Sequence, residues 1–211
     1  MPKLIIKKIN YQINNHRILE DISFEVNKGE ILTLYGKSGC GKSTLIKIIA
    51  GLLTADSGEI IYENQDLNKL KPHQRSIGYV AQTPSLLPHL NVIDNICLGL
   101  TDHKQKNHDI AIFYLNKLKI SGLENRYPHQ LSVGQQQKIS IIRALIRKPK
   151  IILFDEPYAN LDQENKENFI KETMRIVKES SAIKILVTHS ANEIKLIGGK
   201  KFKMEAISPK S

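Results

Sequence analysis

A glycine-rich run at residues 36–44 limits the possible folds of this chain more than any other segment. It reads Gly-Lys-Ser-Gly-Cys-Gly-Lys-Ser-Thr and lies between an apolar run, 31–35, and a helical pattern, 45–50. Its three glycines let the backbone curl so that successive N–H groups converge at the positive end of the following helix. The segment therefore predicts a phosphate-binding loop in which Lys42 contacts the β- and γ-phosphates and Ser43 offers its hydroxyl to Mg²⁺.

The length and composition indicate a single domain in a reducing compartment. At 211 residues the chain is long enough to bury a core without covalent cross-links. Cys40 and Cys97 are its two cysteines, and their separation favours neither a disulfide framework nor a zinc site. No signal peptide is visible and no stretch approaches the ~20 apolar residues that span a bilayer, so we expect neither secretion nor a membrane span.

The formal net charge of +10 raises the question of an acidic partner. The lysines are scattered, and no basic stripe alternates with aromatic residues as single-stranded nucleic acid binding requires. We therefore expect a solvated, lysine-rich surface and no direct nucleic acid partner, although an anionic membrane leaflet would attract the same charge. The cluster Lys200, Lys201 and Lys203 is predicted to be a solvated edge strand.

Hydrophobic patterning predicts alternating strands and helices. Alternation at 3–11 and 18–26 indicates two half-buried strands joined by a turn at Asn14-Asn15. Helix-period patterns between about 91 and 126 indicate a small helical insert. Further strands are predicted at 59–62, 76–81, 151–154 and 183–187, and further helices at 138–147 and 163–179.

Three polar residues follow predicted buried strands. Asp155 and Glu156 come directly after the apolar run 151–154, where two carboxylates are costly unless they handle a cation or a proton. In a phosphate-loop protein the first is expected to hold Mg²⁺ and the second to polarise the attacking water. His189 follows the strand at 183–187 and is expected in the same crevice, because ligands collect at the carboxyl ends of parallel strands.

Two other segments are candidates for contact with a ligand or partner. Ser132 and Gly134 precede a predicted helix and form a second anion-binding helix start. The loop at 83–90 holds two prolines and several leucines, which is unusual for a solvated connection. Two interpretations stay open for it: a contact surface for a partner, or a loop packed onto its own helices.

With these residues assembled, the chain resembles the nucleotide-binding subunit of an ATP-binding cassette (ABC) transporter over nearly its whole length. The motifs occur in the order and at the distances of that family. They are the phosphate loop, Gln82, Leu131-Ser132-Val133-Gly134-Gln135, the strand ending in Asp155-Glu156, Ala159-Asn160-Leu161-Asp162, and His189.

The resemblance implies an α/β fold with a P-loop NTPase core. A mostly parallel sheet flanked by helices is expected to carry an antiparallel β subdomain and a helical insert with the signature motif. Residues 1–211 then form one nucleotide-binding domain. Its catalytic core, including the β subdomain, is expected at about 1–85 and 149–211, and its helical subdomain at about 86–148.

The resemblance also assigns roles in a head-to-tail dimer that sandwiches two ATP molecules. Lys42, Gln82, Glu156 and His189 are expected to be catalytic, with Glu156 as general base. The expected Mg²⁺ ligands are Ser43, Gln82 and Asp155. Tyr11 is expected to stack on adenine, and the phosphates are expected to be bound by Gly36, Lys37, Ser38, Gly39, Cys40, Gly41, Lys42, Ser43 and Thr44. Ser132, Gly134 and Gln135 of the opposite subunit are expected to complete the ATP site. Asp162 is expected to couple the two sites.

Several partners follow from the same resemblance. We expect a second cassette in a homodimer, a membrane permease subunit that contacts the loop at 83–90, and a substrate-binding protein, at the cytoplasmic face of the inner membrane. The segment 126–130 before the signature is typical of bacterial importer subunits. The short stretch after His189 is expected to leave out the regulatory domain that many importer cassettes carry.

Two departures from the family pattern leave more than one function open. Val133 stands where the family usually has glycine, and a left-handed backbone there would be penalised. This departure motivates a nucleotide sensor with little turnover. Lys138 stands where arginine is common, which keeps the charge but loses a forked donor. A cassette that traffics lipids or lipoproteins, and a soluble cassette that acts on nucleic acid or ribosomes, also stay open.

Overall fold

The computed structural model describes residues 2–100 and 104–207. In chain order, its strands are β1 (Lys3–Ile13), β2 (His16–Asn27), β3 (Ile31–Tyr35), β4 (Ser57–Tyr62), β5 (Gln65–Asp66), β6 (Ile77–Val80), β7 (Ile151–Asp155), β8 (Ile183–Thr188) and β9 (Lys200–Lys203). Its α-helices are α1 (Lys42–Ala50), α2 (Val92–Cys97), α3 (Lys104–Lys117), α4 (Val133–Ile146), α5 (Gln163–Glu179) and α6 (Ala191–Ile197).

A parallel sheet of five strands forms the centre of the molecule. Its order is β6-β7-β8-β3-β9, and every neighbouring pair is parallel. All residues of β7 and β8 are buried, which explains the apolar run 151–154 and the mostly apolar sequence of β8. Because β3, β8 and β7 are consecutive neighbours, the segments that follow their carboxyl ends meet at one edge of the sheet. The predicted α/β fold is confirmed.

An antiparallel sheet of four strands, in the order β2-β1-β4-β5, lies beside this core. Strands β1 and β2 form a hairpin whose two turn residues, Asn14 and Asn15, both have positive φ, at 49° and 63°. Asparagine tolerates this left-handed conformation, which two-residue hairpin turns require. The pairing of β1 with β2 shifts register on both sides of Tyr11, so the strand is irregular near its end.

Two hydrophobic clusters hold these layers together. One joins the antiparallel sheet and α1 to one side of the parallel sheet, with Leu4, Leu34 and Leu45 fully buried. The other joins α2, α3, α4 and α5 to the opposite side, with Leu115 and Ile141 fully buried. The expected division into a core and a helical subdomain remains a prediction.

The structure adds to the predicted elements and corrects one expectation. Helix α6 and the short strand β5 were not predicted, and α4 begins at Val133, earlier than its predicted start at 138. Val133 has no positive φ, so the expected strain at this position is absent. The three lysines near β9 lie exposed on an edge strand, as predicted. Within residues 2–100 and 104–207, no helix has both the length and the apolar character needed to cross a bilayer.

Candidate active site

The glycine-rich loop connects β3 to α1, as the sequence predicts. Gly41 is the N-cap of α1 and has φ 90°, a conformation that glycine adopts without strain. A Cβ atom at Gly36 would lie 2.2 Å from the backbone oxygen of Met204, just beyond β9. The loop is therefore packed so closely against the sheet that a side chain at this position is excluded.

The side chain of Lys42 lies inside the curl of this loop. It is 4% exposed, and its Nζ donates hydrogen bonds to the carbonyl oxygens of Gly36 at 3.0 Å and Lys37 at 2.8 Å. These neutral acceptors satisfy the ammonium but do not neutralise it, so the loop concentrates positive charge. An anion such as a phosphate group fits this environment.

Asp155, at the end of β7, accepts hydrogen bonds on both carboxylate oxygens. The hydroxyl of Ser43 donates to Oδ1 at 2.6 Å, and the hydroxyl of Tyr79 donates to Oδ2 at 3.0 Å. Burial and the neighbouring Asp155 charge both raise the pKa of Tyr79, so its hydroxyl stays protonated. Hydroxyl and carboxylate oxygens are the hard ligands that Mg²⁺ prefers, so this pair fits the implied ion. The contribution of Tyr79 was not predicted.

Glu156 is the next residue, and its backbone is left-handed with φ 45°. Such a conformation in a residue other than glycine costs about 1–3 kcal/mol and is found disproportionately at functional sites. The carboxylate Oε2 lies 3.4 Å from Nδ1 of His189, which follows β8. The structure thus brings together the predicted general base and the histidine predicted in the same crevice, each of which follows one of two adjacent strands.

A cleft of about 380 Å³ contains some of these groups, while Asp155 and His189 are not part of its lining. It is bounded by the phosphate loop and start of α1, by Gln82 and Glu156, and by two isoleucines of the β1–β2 hairpin, Ile13 and Ile18. Tyr11 does not line this cleft. It lines a separate depression with residues that include Arg17 and Asp56.

The signature residues lie outside this cleft. Ser132 is the N-cap of α4: its hydroxyl accepts a hydrogen bond from the Gln135 backbone N–H at 3.2 Å, and the Gln135 side chain accepts one from the Ser132 N–H at 3.0 Å. A Cβ atom at Gly134 would lie 3.6 Å from Leu161, so the start of α4 lies close to the segment before α5. Asp162 is the exposed N-cap of α5, and its side chain makes no capping hydrogen bond.

The leucine-rich loop at 83–90 is anchored to its own helices by two residues that were not predicted. Asn95 of α2 is fully buried; it accepts a hydrogen bond from the backbone N–H of Leu87 at 2.8 Å and donates to the carbonyls of Leu87 and Leu90. Arg143 of α4 donates to Ser85. The leucines are half-buried while several neighbours are exposed, so the loop is both packed onto its helices and accessible.

A second cavity, of about 470 Å³, lies between the end strand β6 and the helices α2 and α4. Its walls include Tyr79, Leu98, Arg143 and Arg147. Arg143 therefore reaches both the loop at 83–90 and this cavity. The cavity is separate from the cleft that holds the phosphate loop.

Comparison with known proteins places this geometry in a family. A family model described as ABC transporter matches residues 19–159. The chain is 40% identical over 200 residues to the Fe(3+) ions import ATP-binding protein FbpC 2 of Haemophilus influenzae, covering 91% of this chain and 56% of that protein. It is 37% identical over 195 residues to the spermidine/putrescine import ATP-binding protein PotA of Vibrio vulnificus, covering 91% of this chain and 52% of that protein.

The chain thus spans about half the length of the curated relatives that it matches. Among solved structures, it is similar to the ATP-binding cassette MJ0796 in a dimeric post-hydrolysis state bound to ADP and Pi, with a TM-score of 0.82 and 27% identity. That match covers 96% of this chain and 94% of the solved chain. The family match and the arrangement of phosphate loop, acidic pair and histidine agree, and the chain belongs to the ABC transporter family.

Proposed function

We propose that this chain is the ATP-binding and ATP-hydrolysing subunit of an ABC importer. The observation that carries the proposal is the contact between Ser43 and Asp155, at 2.6 Å, beside a cleft that Ser43 and Glu156 line together with the phosphate loop. The import ATP-binding proteins that the chain resembles support the same function.

In this proposal the loop backbone and Lys42 hold the phosphates of ATP. Ser43, Asp155 and Gln82 are the expected ligands of Mg²⁺, and Gln82 is exposed beside the cleft. When bound, the ion neutralises charge on the β- and γ-phosphates. The remaining catalytic work is positioning and proton transfer, which is the main requirement of phosphoryl transfer to water.

Glu156 is the proposed general base. Its carboxylate accepts a proton from the attacking water as the new oxygen–phosphorus bond forms and the bond from γ-phosphorus to the bridging oxygen of ADP breaks. His189 lies within 3.4 Å of that carboxylate and orients it toward the γ-phosphate end of the cleft. The left-handed backbone of Glu156 aims its side chain into the cleft.

A second cassette completes the site in this proposal. Ser132, Gly134 and Gln135 lie outside the cleft of their own chain, but they begin a helix whose N–H groups suit an anion. A head-to-tail partner would bring them to the γ-phosphate, with Asp162 near the shared interface. The dimeric state of the similar cassette MJ0796 supports this arrangement.

A membrane permease subunit is the proposed partner on which ATP-driven closure of the cassette dimer acts. The loop at 83–90 and the adjoining cavity of about 470 Å³ form an accessible concave surface for it. Arg143 links the two because it donates to Ser85 and lines the cavity. The proposed location is therefore peripheral, at the cytoplasmic face of the inner membrane.

The test compares the wild-type protein with Glu156→Gln. We expect the variant to release phosphate at least about 100-fold more slowly, because the general base is lost, while ATP binding persists. Light scattering should then detect an ATP-dependent dimer of the variant. Hydrolysis that survives the substitution, or a wild-type protein that binds no ATP, would contradict the proposal.

The permease partner requires a separate experiment. Tagged Glu156→Gln protein with ATP is used to capture partners from detergent-solubilised membranes, with Asn95→Ala as the matched variant that loosens the loop at 83–90. Recovery of one polytopic membrane protein, reduced by Asn95→Ala, is expected. Recovery of ribosomal or nucleic-acid-binding proteins alone would favour a soluble cassette instead.

A further inference from the structure

Glu193 is a buried carboxylate in α6, the helix that follows β8 and His189. It is 4% exposed, and an unpaired charge at such a position would be costly. Its Oε1 contacts Nζ of Lys166 in α5 at 2.6 Å, and its Oε2 accepts a hydrogen bond from the hydroxyl of Thr188 at 2.5 Å. Both carboxylate oxygens are therefore engaged, one by a cation and the other by a hydroxyl.

Thr188, the last residue of β8, connects this carboxylate to the backbone on both sides of His189. Thr188 is buried, and its hydroxyl donates to Glu193 while it accepts a hydrogen bond from the backbone N–H of Ser190 at 3.0 Å. The hydroxyl of Ser190 accepts in turn from the backbone N–H of Glu193 at 3.4 Å, at the start of α6. The residues before and after His189 are thus held by the same set of hydrogen bonds.

The imidazole of His189 depends on this backbone for its direction. Its side chain is 61% exposed, so packing constrains it little, yet Nδ1 lies 3.4 Å from Oε2 of Glu156. A shift of the backbone would change that approach, and a misplacement of about 1 Å in a catalytic site can cost about 100-fold in rate. The residues that fix the backbone at His189 therefore bear on the chemical step.

Resting on the proposed function, we propose that Glu193 is a positioning residue for His189 and acts through the hydroxyl of Thr188. Hydrogen bonds from a hydroxyl to a carboxylate are about twice as strong as those between neutral groups. Lys166 balances the buried charge and joins it to α5, so the carboxylate is itself held in place. The chain of contacts runs from α5 through Glu193 and Thr188 to the backbone at His189.

Glu193→Gln tests the carboxylate at nearly constant size. A carboxamide has a single oxygen, and the Lys166 ammonium requires that oxygen, so the NH₂ group is left against the hydroxyl of Thr188. The hydrogen bond from Thr188 is then lost, as it is in Thr188→Val. We expect each variant to lower the single-turnover rate of ATP hydrolysis by about tenfold and to change ATP affinity by less than about twofold, because the phosphate loop is intact.

Three matched variants separate positioning from a general loss of structure. Thr188→Ser keeps the hydroxyl and should hydrolyse ATP within about twofold of the wild-type rate. Asn192→Ala removes a neighbouring contact between α6 and α5, the exposed hydrogen bond to Glu167 at 3.2 Å, and should also leave the rate unchanged. In the His189→Ala background, Thr188→Val should slow hydrolysis by less than about twofold more, because the side chain that it positions is absent.

Nuclear magnetic resonance of the imidazole groups gives a readout that does not require turnover. The His189 resonance, identified by its loss in His189→Ala, should move in Glu193→Gln and Thr188→Val and stay in place in Asn192→Ala. An unmoved resonance, an unchanged rate in both variants, or a full loss that persists without His189 would overturn the inference. A wild-type protein that does not hydrolyse ATP would instead refute the proposed function, while the resonance still tests the positioning. Thermal unfolding of each variant verifies that the fold is retained.

Discussion

Single residues set the geometry of the phosphate loop, and Gly41 is the clearest case. Its φ of 90° and its contact with the β1–β2 hairpin leave no room for a side chain. Gly29 has a similar φ of 81°, but no atom lies within 4 Å of the position where its Cβ would be. Substituting each glycine by alanine therefore distinguishes the free-energy cost of a left-handed backbone from the cost of a steric clash.

We predict that Gly29→Ala lowers the free energy of unfolding by about 1 kcal/mol, since it adds backbone strain alone. Gly41→Ala should lower it by about 3 kcal/mol, because a Cβ there would lie 2.7 Å from Cδ2 of buried Leu19. Urea denaturation of both variants measures the difference. Equal losses would show that close packing of the hairpin on the loop contributes nothing.

The hydroxyl of Tyr79 acts on the proposed metal site through Asp155. It holds Oδ2 at 3.0 Å while Oδ1 faces Ser43. We predict that Tyr79→Phe weakens Mn²⁺ binding in the presence of ATP by about tenfold, as measured by electron paramagnetic resonance, because outer contacts orient ligating carboxylates. Tyr158→Phe removes a hydroxyl that contacts Thr173 instead, and it should leave Mn²⁺ affinity unchanged. A similar loss in both variants would contradict this role.

At the scale of elements, helix α1 is capped by neighbouring residues at its N-terminus and also by a residue distant in sequence at its C-terminus. Its N-terminus is formed by the loop itself, whereas its C-terminus is capped by the Gly51 backbone and also by Arg75, which is distant in sequence. The Arg75 guanidinium is 8% exposed and donates to the carbonyls of Ile48 and Ile49 at 2.9 Å each and to Leu70 at 3.1 Å. A cation at this end also complements the helix dipole.

We predict that Arg75→Met destabilises the protein by about 2–4 kcal/mol, because the carbonyls of Ile49 and Leu70 lose the Arg75 donor. Arg75→Lys should recover only part of this loss, since an ammonium cannot reproduce the forked contacts. Urea denaturation again provides the measurement. Equal stability of the lysine variant and the wild type would mean that charge alone is sufficient.

At the scale of the whole molecule, Glu172 of α5 connects the helical layers. It accepts contacts from Lys138 of α4 and Lys119, which follows α3, each at 2.9 Å. Burial raises the pKa of Glu172, but the hydrogen bonds from the two lysines outweigh it and leave the pKa below its ordinary value of 4.5. Lys138 also donates to the Leu118 carbonyl. Its single ammonium group makes these contacts at a position where arginine is common in the family.

A lowered pKa in the folded state means that the unfolded chain binds more protons in acid. The stabilisation by Glu172 is therefore complete above pH 4.5 and is lost as the pH falls through the folded-state value. We predict that Glu172→Gln costs about 1–2 kcal/mol at pH 7 and that this difference shrinks toward zero in acid. Glu179→Gln, which breaks an exposed pair with Lys117, should cost less than about 0.5 kcal/mol. A difference for Glu172→Gln that does not depend on pH would refute the linkage.

Much of the site was predictable because its chemistry is local in the chain. The phosphate loop depends on glycine spacing within residues 36–44, and Asp155 and Glu156 directly follow an apolar run that is fully buried in the structure. Buried parallel strands bring the residues after their carboxyl ends to one edge of the sheet, so His189 near Glu156 was also predictable.

Tertiary structure alone decided contacts between residues far apart in sequence. Tyr79 of β6 donates a hydrogen bond to Asp155 of the adjacent strand β7. Asn95 is hydrogen-bonded to the loop at 83–90, for which the sequence left open a partner surface or a packed loop. No local pattern marks such residues, because a buried tyrosine or asparagine has the same sequence signature whether or not it meets a functional group.

The sequence by itself determined the fold class, the phosphate loop and the acidic pair, since hydrophobic periodicity and glycine spacing act over a few neighbouring residues. Which side chains line the cleft beside the phosphate loop depended on the irregular end of β1. Alternation puts Tyr11 and Ile13 on one face of a regular strand, yet the register shifts leave Ile13 beside the phosphate loop and Tyr11 in another depression. Pairing with β2 sets those shifts, and pairing exists only in the folded chain.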